Sequence, residues 1–179
     1  MDKRTEIIAG ATRLFEAEGF RGIGIDRVIA PSGVSTRTLY KHFGSRDGLV
    51  LAVLEARHQA FMVRLESQSA SVEALFDTLR EWVQEHVALG CMLLRARSEY
   101  AGASETIVSL VHRQKDAFRQ EVARRVQLAL GRDDQRLSTQ IWLLFEGASA
   151  AASVASASVI DDARDAASAL VDIARAGSA

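Results

Sequence analysis

The sequence predicts an all-α protein of about nine helices, and three observations support this fold class. Pro31 is the only proline in 179 residues, so almost the whole chain can form helical hydrogen bonds. Strong helix formers, above all Ala, Leu, Arg and Glu, are abundant. Apolar residues recur with the period of an amphipathic helix from Ile7 through Ala11 and Leu14 onwards.

The composition is that of a globular protein in a reducing compartment. Hydrophobic residues make up 48% and charged residues 25%, which is enough apolar side chain for a core. A single cysteine, Cys91, excludes a disulfide within the chain. The longest uncharged run, residues 147–160, is too short and too polar to span a bilayer, and no charged-then-apolar leader opens the sequence. We therefore expect a soluble, cytoplasmic protein with no membrane partner.

Two helices are predicted before the proline. The first runs over residues 2–18, and Gly19 ends it because glycine adopts the left-handed conformation common at helix C-termini. Gly24 is a candidate N-cap for a short second helix over residues 25–30. Pro31 ends or bends this second helix, since its ring crowds the carbonyl four residues earlier.

The segment GVSTRTLYKHFGSRDGL, residues 33–49, predicts a tight turn and a third helix. Its first glycine supplies the turn, and Ser35 or the following Thr caps a helix that runs to Phe43. Leu39 lies four residues before Phe43, so these two apolar side chains share the face that packs inward. The opposite face carries Thr36, Arg37, Tyr40 and Lys41. Two short helices joined by a glycine-containing turn form a helix-turn-helix.

Longer helices are predicted over the remainder of the chain, at residues 46–67, 72–89, 90–101, 104–130, 133–158 and 161–177. The run GASAAASVASAS, residues 147–158, has small side chains all round the predicted helix. Small side chains allow helices to approach closely, so we interpret this run as packing surface. Ser45 caps the first of these helices, which joins the N-terminal helices to the rest of the chain.

Charge is distributed unevenly along the chain. The first 46 residues hold 8 Lys or Arg against 5 Asp or Glu, whereas the remainder holds 14 against 18, within an overall net charge of -1. A basic end on a mildly acidic body favours nucleic-acid binding by that end.

The first helix, the GF pair, the short second helix and GVSTRTLYKHFGSRDGL together resemble the N-terminal domain of the tetracycline-repressor-like (TetR) family, over residues 3–54. HVALGCMLLRARSEYAG resembles the GC segment that opens the sixth helix in many members. The chain departs from the family pattern at two positions: Gly24 replaces the usual Ser or Thr cap, and Pro31 falls where the second helix normally continues.

The resemblance implies a helix-turn-helix DNA-binding domain over residues 1–46 and a helical effector-binding and dimerisation bundle over residues 47–179. It implies a transcriptional repressor that binds a palindromic operator as a homodimer and is released by a small-molecule effector. A helical small-molecule-binding protein or enzyme with an incidental helix-turn-helix, or a protein-interaction module, is the alternative left open. No metal-ligand spacing or activated nucleophile is present, so we expect neither catalysis nor a metal or other cofactor.

The outward residues of the third helix are the predicted DNA contacts. We expect Arg37 to read a base, most plausibly a guanine, and Thr36 to touch a thymine methyl or a phosphate. Ser35 and Thr38 are predicted phosphate donors at the start of the helix. Four more candidate contacts follow: Tyr40, which resembles the family's phosphate-contacting tyrosine, the phosphate clamps Lys41 and Arg46, and His42, either phosphate donor or packing cap. Lys3 and Arg4 are candidates for the backbone or minor groove.

The resemblance also implies an effector pocket and a dimer interface in the later helices. Candidate pocket residues are Phe61, Leu65, Trp82, His86, Met92, Arg95, Tyr100, His112, Trp142 and Phe145, although each is also explained as ordinary core or surface. Arg95, within an apolar run, suggests an anionic ligand or else a surface position. Candidate interface residues are Ile141, Leu144, Ala148, Ala152, Ala166, Ala169, Leu170 and Ile173.

Overall fold

The computed structural model describes residues 2–86 and 90–177, and these are helical with no strand, which confirms the predicted all-α fold. The described residues form nine α-helices and one turn of 3-10 helix at Ala30–Ser32. The α-helices are α1 Lys3–Glu18, α2 Ile25–Ile29, α3 Thr36–Phe43, α4 Arg46–Glu66, α5 Glu73–Glu85, α6 Met92–Tyr100, α7 Glu105–Leu130, α8 Gln135–Ala151 and α9 Ser158–Ala176.

Two predicted helix ends were wrong. Helix α5 ends at Glu85, and the last three positions predicted for it, residues 87–89, lie outside the described residues. Helix α8 ends at Ala151 instead of residue 158, and α9 begins at Ser158. The intervening serines favour a turn because their hydroxyls bond locally: Ser153 donates to the Ala150 carbonyl oxygen at 2.6 Å. The small-residue run is therefore a helix end and a turn, with Val154 89% exposed.

The chain forms two compact units, one from Met1–Ala60 with Cys91–Arg113 and one from Phe61–Gly90 with Gln114–Ala179. Compactness thus divides the chain differently from the predicted boundary at residue 46. The reason is packing: Leu49, Val53 and other residues in the first half of α4 are fully buried in the N-terminal core. Residues from α6 and α7, among them Ala96 and Ile107, complete the same core.

The core of the first unit holds the third helix in place. Leu39 is fully buried among α1 and α2 residues such as Phe15 and Val28, as its position in the predicted inward face requires. Phe43 packs against this core from a partly buried position. Burying a Leu side chain contributes about 2 kcal/mol, so Leu39 is the principal apolar anchor of α3.

The core of the second unit combines an aromatic cluster with a buried arginine. Phe61 contacts Trp82, Phe118 and Phe145 with ring centroids 5.3 to 6.0 Å apart. Arg125 of α7 is only 1% exposed and donates to the backbone carbonyls of Leu65, Ser69 and Ser71, at 3.1, 2.8 and 2.7 Å. These bonds satisfy carbonyls at and beyond the end of α4, which have no intrahelical partner.

Candidate nucleic-acid interface

The turn between α2 and α3 follows directly from its sequence. Helix α2 ends at Ile29, and Pro31 is the second residue of the 3-10 turn that follows. The missing amide hydrogen of Pro31 costs no helical hydrogen bond at this position. Gly33 has φ 62°, a left-handed conformation that favours glycine. Ser35 then caps α3, and its hydroxyl accepts from the Thr38 amide at 3.2 Å. The predicted cap residue is confirmed.

The outer face of α3 carries side chains with no partner in the rest of the described chain. Arg37 and Lys41 are exposed and form no hydrogen bond or ion pair with any described residue. Tyr40 lies between them and is 43% exposed. Two cations and a phenol are therefore presented side by side to solvent, opposite the buried Leu39. This arrangement suits a polyanionic partner.

The hydroxyl groups at the start of α3 already form hydrogen bonds within the chain, which the sequence did not indicate. The Thr36 hydroxyl donates to Asp26 of α2 at 3.1 Å. Ser35 and Thr38 share a hydrogen bond of 3.0 Å, so only one of these two hydroxyl protons is free for a phosphate. Their predicted roles as DNA contacts stay predictions, but the structure binds these groups first to one another and to α2.

Arg46 is partly buried and bound within the chain, and its predicted role as a phosphate clamp stays a prediction. Its guanidinium donates to the Phe20 carbonyl oxygen and lies 6.0 Å from the centre of the Phe15 ring. The side chain therefore ties the start of α4 to the end of α1. His42 is exposed, and its ring centroid lies 6.2 Å from that of Phe43. The Arg4 guanidinium lies 5.3 Å from the centre of the same Phe43 ring.

Two charged side chains of α6 form hydrogen bonds to the backbone at and just after the end of α1. Sequence reasoning did not predict these contacts. The Glu99 carboxylate accepts from the Phe20 and Arg21 amides at 2.8 and 2.9 Å. Arg95, one turn earlier, pairs with Glu99 at 3.2 Å and donates to the Glu16 carbonyl oxygen at 2.9 Å. The Arg95 guanidinium is paired with Glu99 and partly exposed, which favours the surface alternative, and its place in an effector pocket stays a prediction. The spacing of four residues between the two charges was the available signal.

Gly19 lies directly beside the Glu99 and Arg95 side chains of α6. Its φ is 87°, and a Cβ at this position would lie 2.7 Å from the Glu99 carboxylate and 2.8 Å from the Arg95 guanidinium. The backbone conformation therefore favours glycine here, and a Cβ would also require the ends of the Glu99 and Arg95 side chains to shift. Gly19 was predicted only as a helix terminator, and its close approach to α6 depends on long-range packing.

The predicted pocket residues are divided between the two units. Phe61, Leu65, Trp82, His86, Trp142 and Phe145 belong to the second unit, whereas Met92, Arg95, Tyr100 and His112 belong to the first. Tyr100 is buried in the N-terminal core, and burial raises the pKa of its phenol above the ordinary value. Trp82 stacks near His86 with ring centroids 4.3 Å apart, and the His86 ring contacts the Trp82 carbonyl oxygen at 2.8 Å.

The predicted dimer interface needs correction at three positions. Ile141, Ala148 and Ala152 are buried in the core of the second unit and face other helices of the same chain. Leu144 and Leu170 are partly buried against that core, while Ala166, Ala169 and Ile173 are exposed. The exposed face of α8 instead carries Leu143, Gly147 and Ala150, which lie about half a turn away from Ile141 and Ala148.

Residues 2–86 and 90–177 contain neither a candidate membrane-spanning helix nor a candidate metal site. No helix there is both long enough and apolar enough to cross a bilayer. No group of three or more His, Cys, Asp or Glu side chains in that part of the chain is placed to hold a metal ion.

A short α2, a glycine turn and an α3 anchored by one buried leucine define a helix-turn-helix protein. The family described as bacterial regulatory proteins, tetR family, matches residues 7–53, which cover α1 to the first half of α4. Residues 7–53 of this chain therefore match the tetR family, and the predicted resemblance is confirmed over this segment.

Curated relatives and solved structures agree with this assignment. The chain is 31% identical over 105 residues to the HTH-type transcriptional activator FasR of Mycolicibacterium smegmatis, covering 52% of this chain and 45% of that one. It is 25% identical over 117 residues to the HTH-type transcriptional repressor NemR of Escherichia coli K12, covering 60% and 59%. The matched part thus spans about half the length of these relatives.

The fold is shared along nearly the whole chain with known structures. A TetR-family transcriptional regulator from Streptomyces coelicolor superposes with a TM-score of 0.88 at 23% identity, covering 97% of this chain and 96% of that chain. A TetR transcription regulator from Haloarcula marismortui gives 0.79 at 20% identity, covering 96% and 97%. At these identities the likeness concerns the fold.

Proposed function

We propose that this protein is a cytoplasmic transcriptional repressor that binds a palindromic operator as a homodimer and is released by a small-molecule effector. The observation that carries the proposal is the outer face of α3. Leu39 is fully buried beneath it, while Arg37 and Lys41 have no partner within the described chain. An exposed cationic surface of this kind favours a polyanionic ligand, because neutralising phosphates releases their counterions.

The proposed docking places α3 in the major groove of double-stranded DNA. A helix of this size fits the groove, and its N-terminal residues meet the base edges. Arg37, in the first turn of α3, is assigned to base readout, because a guanidinium forms a bidentate pair with guanine. Tyr40 and Lys41, one turn later, are assigned to phosphates, which position the helix without reading sequence.

A single α3 reads only a few base pairs, so a specific site requires two copies about 34 Å apart. We assign the dimer contact to the exposed face formed by α8 and α9, which pack against one another in the second unit. Leu143, 57% exposed, and Ile173, 67% exposed, lie on this face. Gly147, Ala150, Ala166 and Ala169 surround them with small side chains, which permits close approach of helices from a second copy.

The effector site is assigned to the second unit, where aromatic rings are concentrated. Phe61 contacts Trp82, Phe118 and Phe145, and the ring centroids of Phe118 and Phe145 are only 4.4 Å apart. Rings of this kind pack well against an apolar or aromatic small molecule. A compound that releases the operator is expected to change tryptophan fluorescence at the same concentration.

The proposal is tested by binding to the DNA upstream of the protein's own gene. A gel shift and footprint are expected to reveal a short palindrome occupied by two chains, with affinity falling steeply as salt rises. A protein that binds all duplexes equally, or binds the palindrome as one chain, contradicts the proposal. Binding of a small molecule with chemical turnover would instead support the enzyme alternative.

A further inference from the structure

Asp26 is an acidic side chain placed beside the proposed DNA-reading helix. It lies in the first turn of α2, is exposed, and accepts the Thr36 hydroxyl at 3.1 Å through Oδ1. Thr36 is the first residue of α3, immediately before Arg37. The carboxylate is therefore located at the end of α3 that meets base edges in the docking proposed above.

No described cation neutralises this carboxylate. Its neighbour Arg27 forms two bonds of 2.5 and 2.6 Å with the two oxygens of Glu18, so its charge is already balanced. Arg37 forms no ion pair with any described residue, including Asp26. The second oxygen, Oδ2, thus remains an acceptor with a full negative charge nearby.

A negative charge close to DNA phosphates weakens binding unless it gains a specific partner. Within the major groove the groups that donate hydrogen bonds are the amino groups of cytosine and adenine, and a carboxylate characteristically accepts from cytosine N4. Base acceptors, such as guanine O6 and thymine O4, are repelled at the same place. A lone carboxylate beside a helix that reads the groove therefore increases sequence specificity and does not increase overall affinity for DNA.

We propose that Asp26 is a specificity-determining residue, which accepts from a cytosine amino group in each half-site and holds Thr36 with its methyl group toward the groove. This inference rests on the proposed operator binding. The Thr36 hydroxyl is used by Asp26, so Thr36 contributes apolar contact, and the carboxylate rejects a base that presents an acceptor. Asp26 thereby lowers affinity for non-specific DNA while preserving affinity for the operator.

The test is selection of binding sites from a randomised duplex by the full-length wild type and by Asp26→Ala, followed by titration of the selected operator and of a scrambled duplex. In Asp26→Ala the preference for cytosine at one position of each half-site is expected to disappear. The ratio of operator to scrambled affinity is expected to fall about tenfold for each of the two half-sites, within the usual penalty range for one base pair. Binding to the scrambled duplex is expected to increase.

Two controls separate the contributions. Glu55→Ala removes the same charge from an exposed position on α4, away from α3, and is expected to leave the base preference unchanged. Thr36→Val keeps the shape of the side chain and removes the hydroxyl, so the cytosine preference is expected to persist. Circular dichroism melting of each variant confirms folding.

Three outcomes overturn the inference. Equal strengthening of all sequences by Asp26→Ala would make Asp26 merely a repulsive charge, and unchanged binding would make it irrelevant. Loss of cytosine preference in Glu55→Ala would also contradict it. If the wild type itself selects no sequence, the proposed function fails, and this outcome is distinguishable because no variant is needed to see it.

Discussion

Two groups of charged side chains in the first unit behave in opposite ways. Arg95, Glu99 and Arg46 are bound to one another or to backbone groups around residues 16–21. Arg37 and Lys41 on α3 have no partner in the described chain. The first group stabilises the segment between α1 and α2. The second group faces solvent because Leu39 on the same helix is buried, and it is free to bind another molecule.

The difference shows that charge by itself does not indicate a binding site. Arg95 and Arg46 are predicted ligand or phosphate contacts, and in the structure both guanidinium groups donate to backbone carbonyls. A backbone carbonyl at the end of a helix lacks an intrahelical partner, so an arginine nearby stabilises the fold by bonding to it. Arg37 and Lys41 remain available because they bond to no backbone carbonyl and no carboxylate of the described residues.

The strongest test of this distinction is Arg125→Ala in the second unit. The change leaves three backbone carbonyls and the Glu121 carboxylate without the buried guanidinium, and we expect a loss of about 3–5 kcal/mol in the free energy of unfolding. Urea denaturation at fixed protein concentration measures it. The control is Arg124→Ala, an exposed neighbour bound to the same Glu121, for which we expect a loss below about 1 kcal/mol.

The next largest effect is expected from Gly19→Ala. Alanine disfavours this backbone conformation, and its methyl group would displace the ends of the Glu99 and Arg95 side chains, so we expect a loss of about 1–3 kcal/mol. Thermal unfolding monitored by circular dichroism measures the loss. Gly22→Ala is the matched control, because a Cβ there meets open space. Equal stability of the two variants would show that α6 does not close on Gly19.

Sequence reasoning succeeded where structure is local and failed where it is long-range. The Ser35 cap, the end of α2 before Pro31 and the burial of Leu39 follow from side-chain chemistry within one or two turns of helix. The hydrogen bond from the Phe20 amide to the Glu99 carboxylate joins positions 79 residues apart, and no periodicity in the sequence predicts it. The small residues after Ala151 fit either a packed helix or a turn, because alanine satisfies both, and the local bond from the Ser153 hydroxyl to the Ala150 carbonyl oxygen favours the turn.

A smaller effect, with a defined pH dependence, is expected from Glu121. Burial raises the pKa of its carboxyl, but hydrogen bonds from Arg124 and Arg125 outweigh burial, so the pKa is lowered below the ordinary value. A depressed pKa stabilises the fold above the unfolded pKa of about 4.3, and this stabilisation is lost as pH falls through the folded value. Glu121→Gln is therefore expected to cost about 1 kcal/mol at pH 7 and progressively less in acid.

Urea denaturation at pH 7 and at successively lower pH values measures this trend. Glu81→Gln, at an exposed carboxylate of α5 in the same unit, is the control and is expected to change stability by less than about 0.5 kcal/mol at every pH. A penalty for Glu121→Gln that stays constant or grows in acid would contradict the lowered pKa.

The smallest change in stability is expected from Arg37→Ala, which separates the two groups of cations most directly. Because Arg37 has no partner in the described chain, its removal is expected to alter the free energy of unfolding by less than about 0.5 kcal/mol while abolishing discrimination at one base pair of each half-site. Lys41→Ala is expected to weaken binding to all duplexes alike, with a salt dependence reduced by about one phosphate contact.

Arg46→Ala gives the opposite pattern if the guanidinium holds the Phe20 carbonyl. We expect a loss of about 1–2 kcal/mol in unfolding free energy and a salt dependence of DNA binding like that of the wild type. Urea denaturation and operator titrations over a range of salt concentrations measure both quantities. If Arg46→Ala leaves stability unchanged and reduces the salt dependence as Lys41→Ala does, Arg46 contacts a phosphate, and its contact with the backbone does not determine its role.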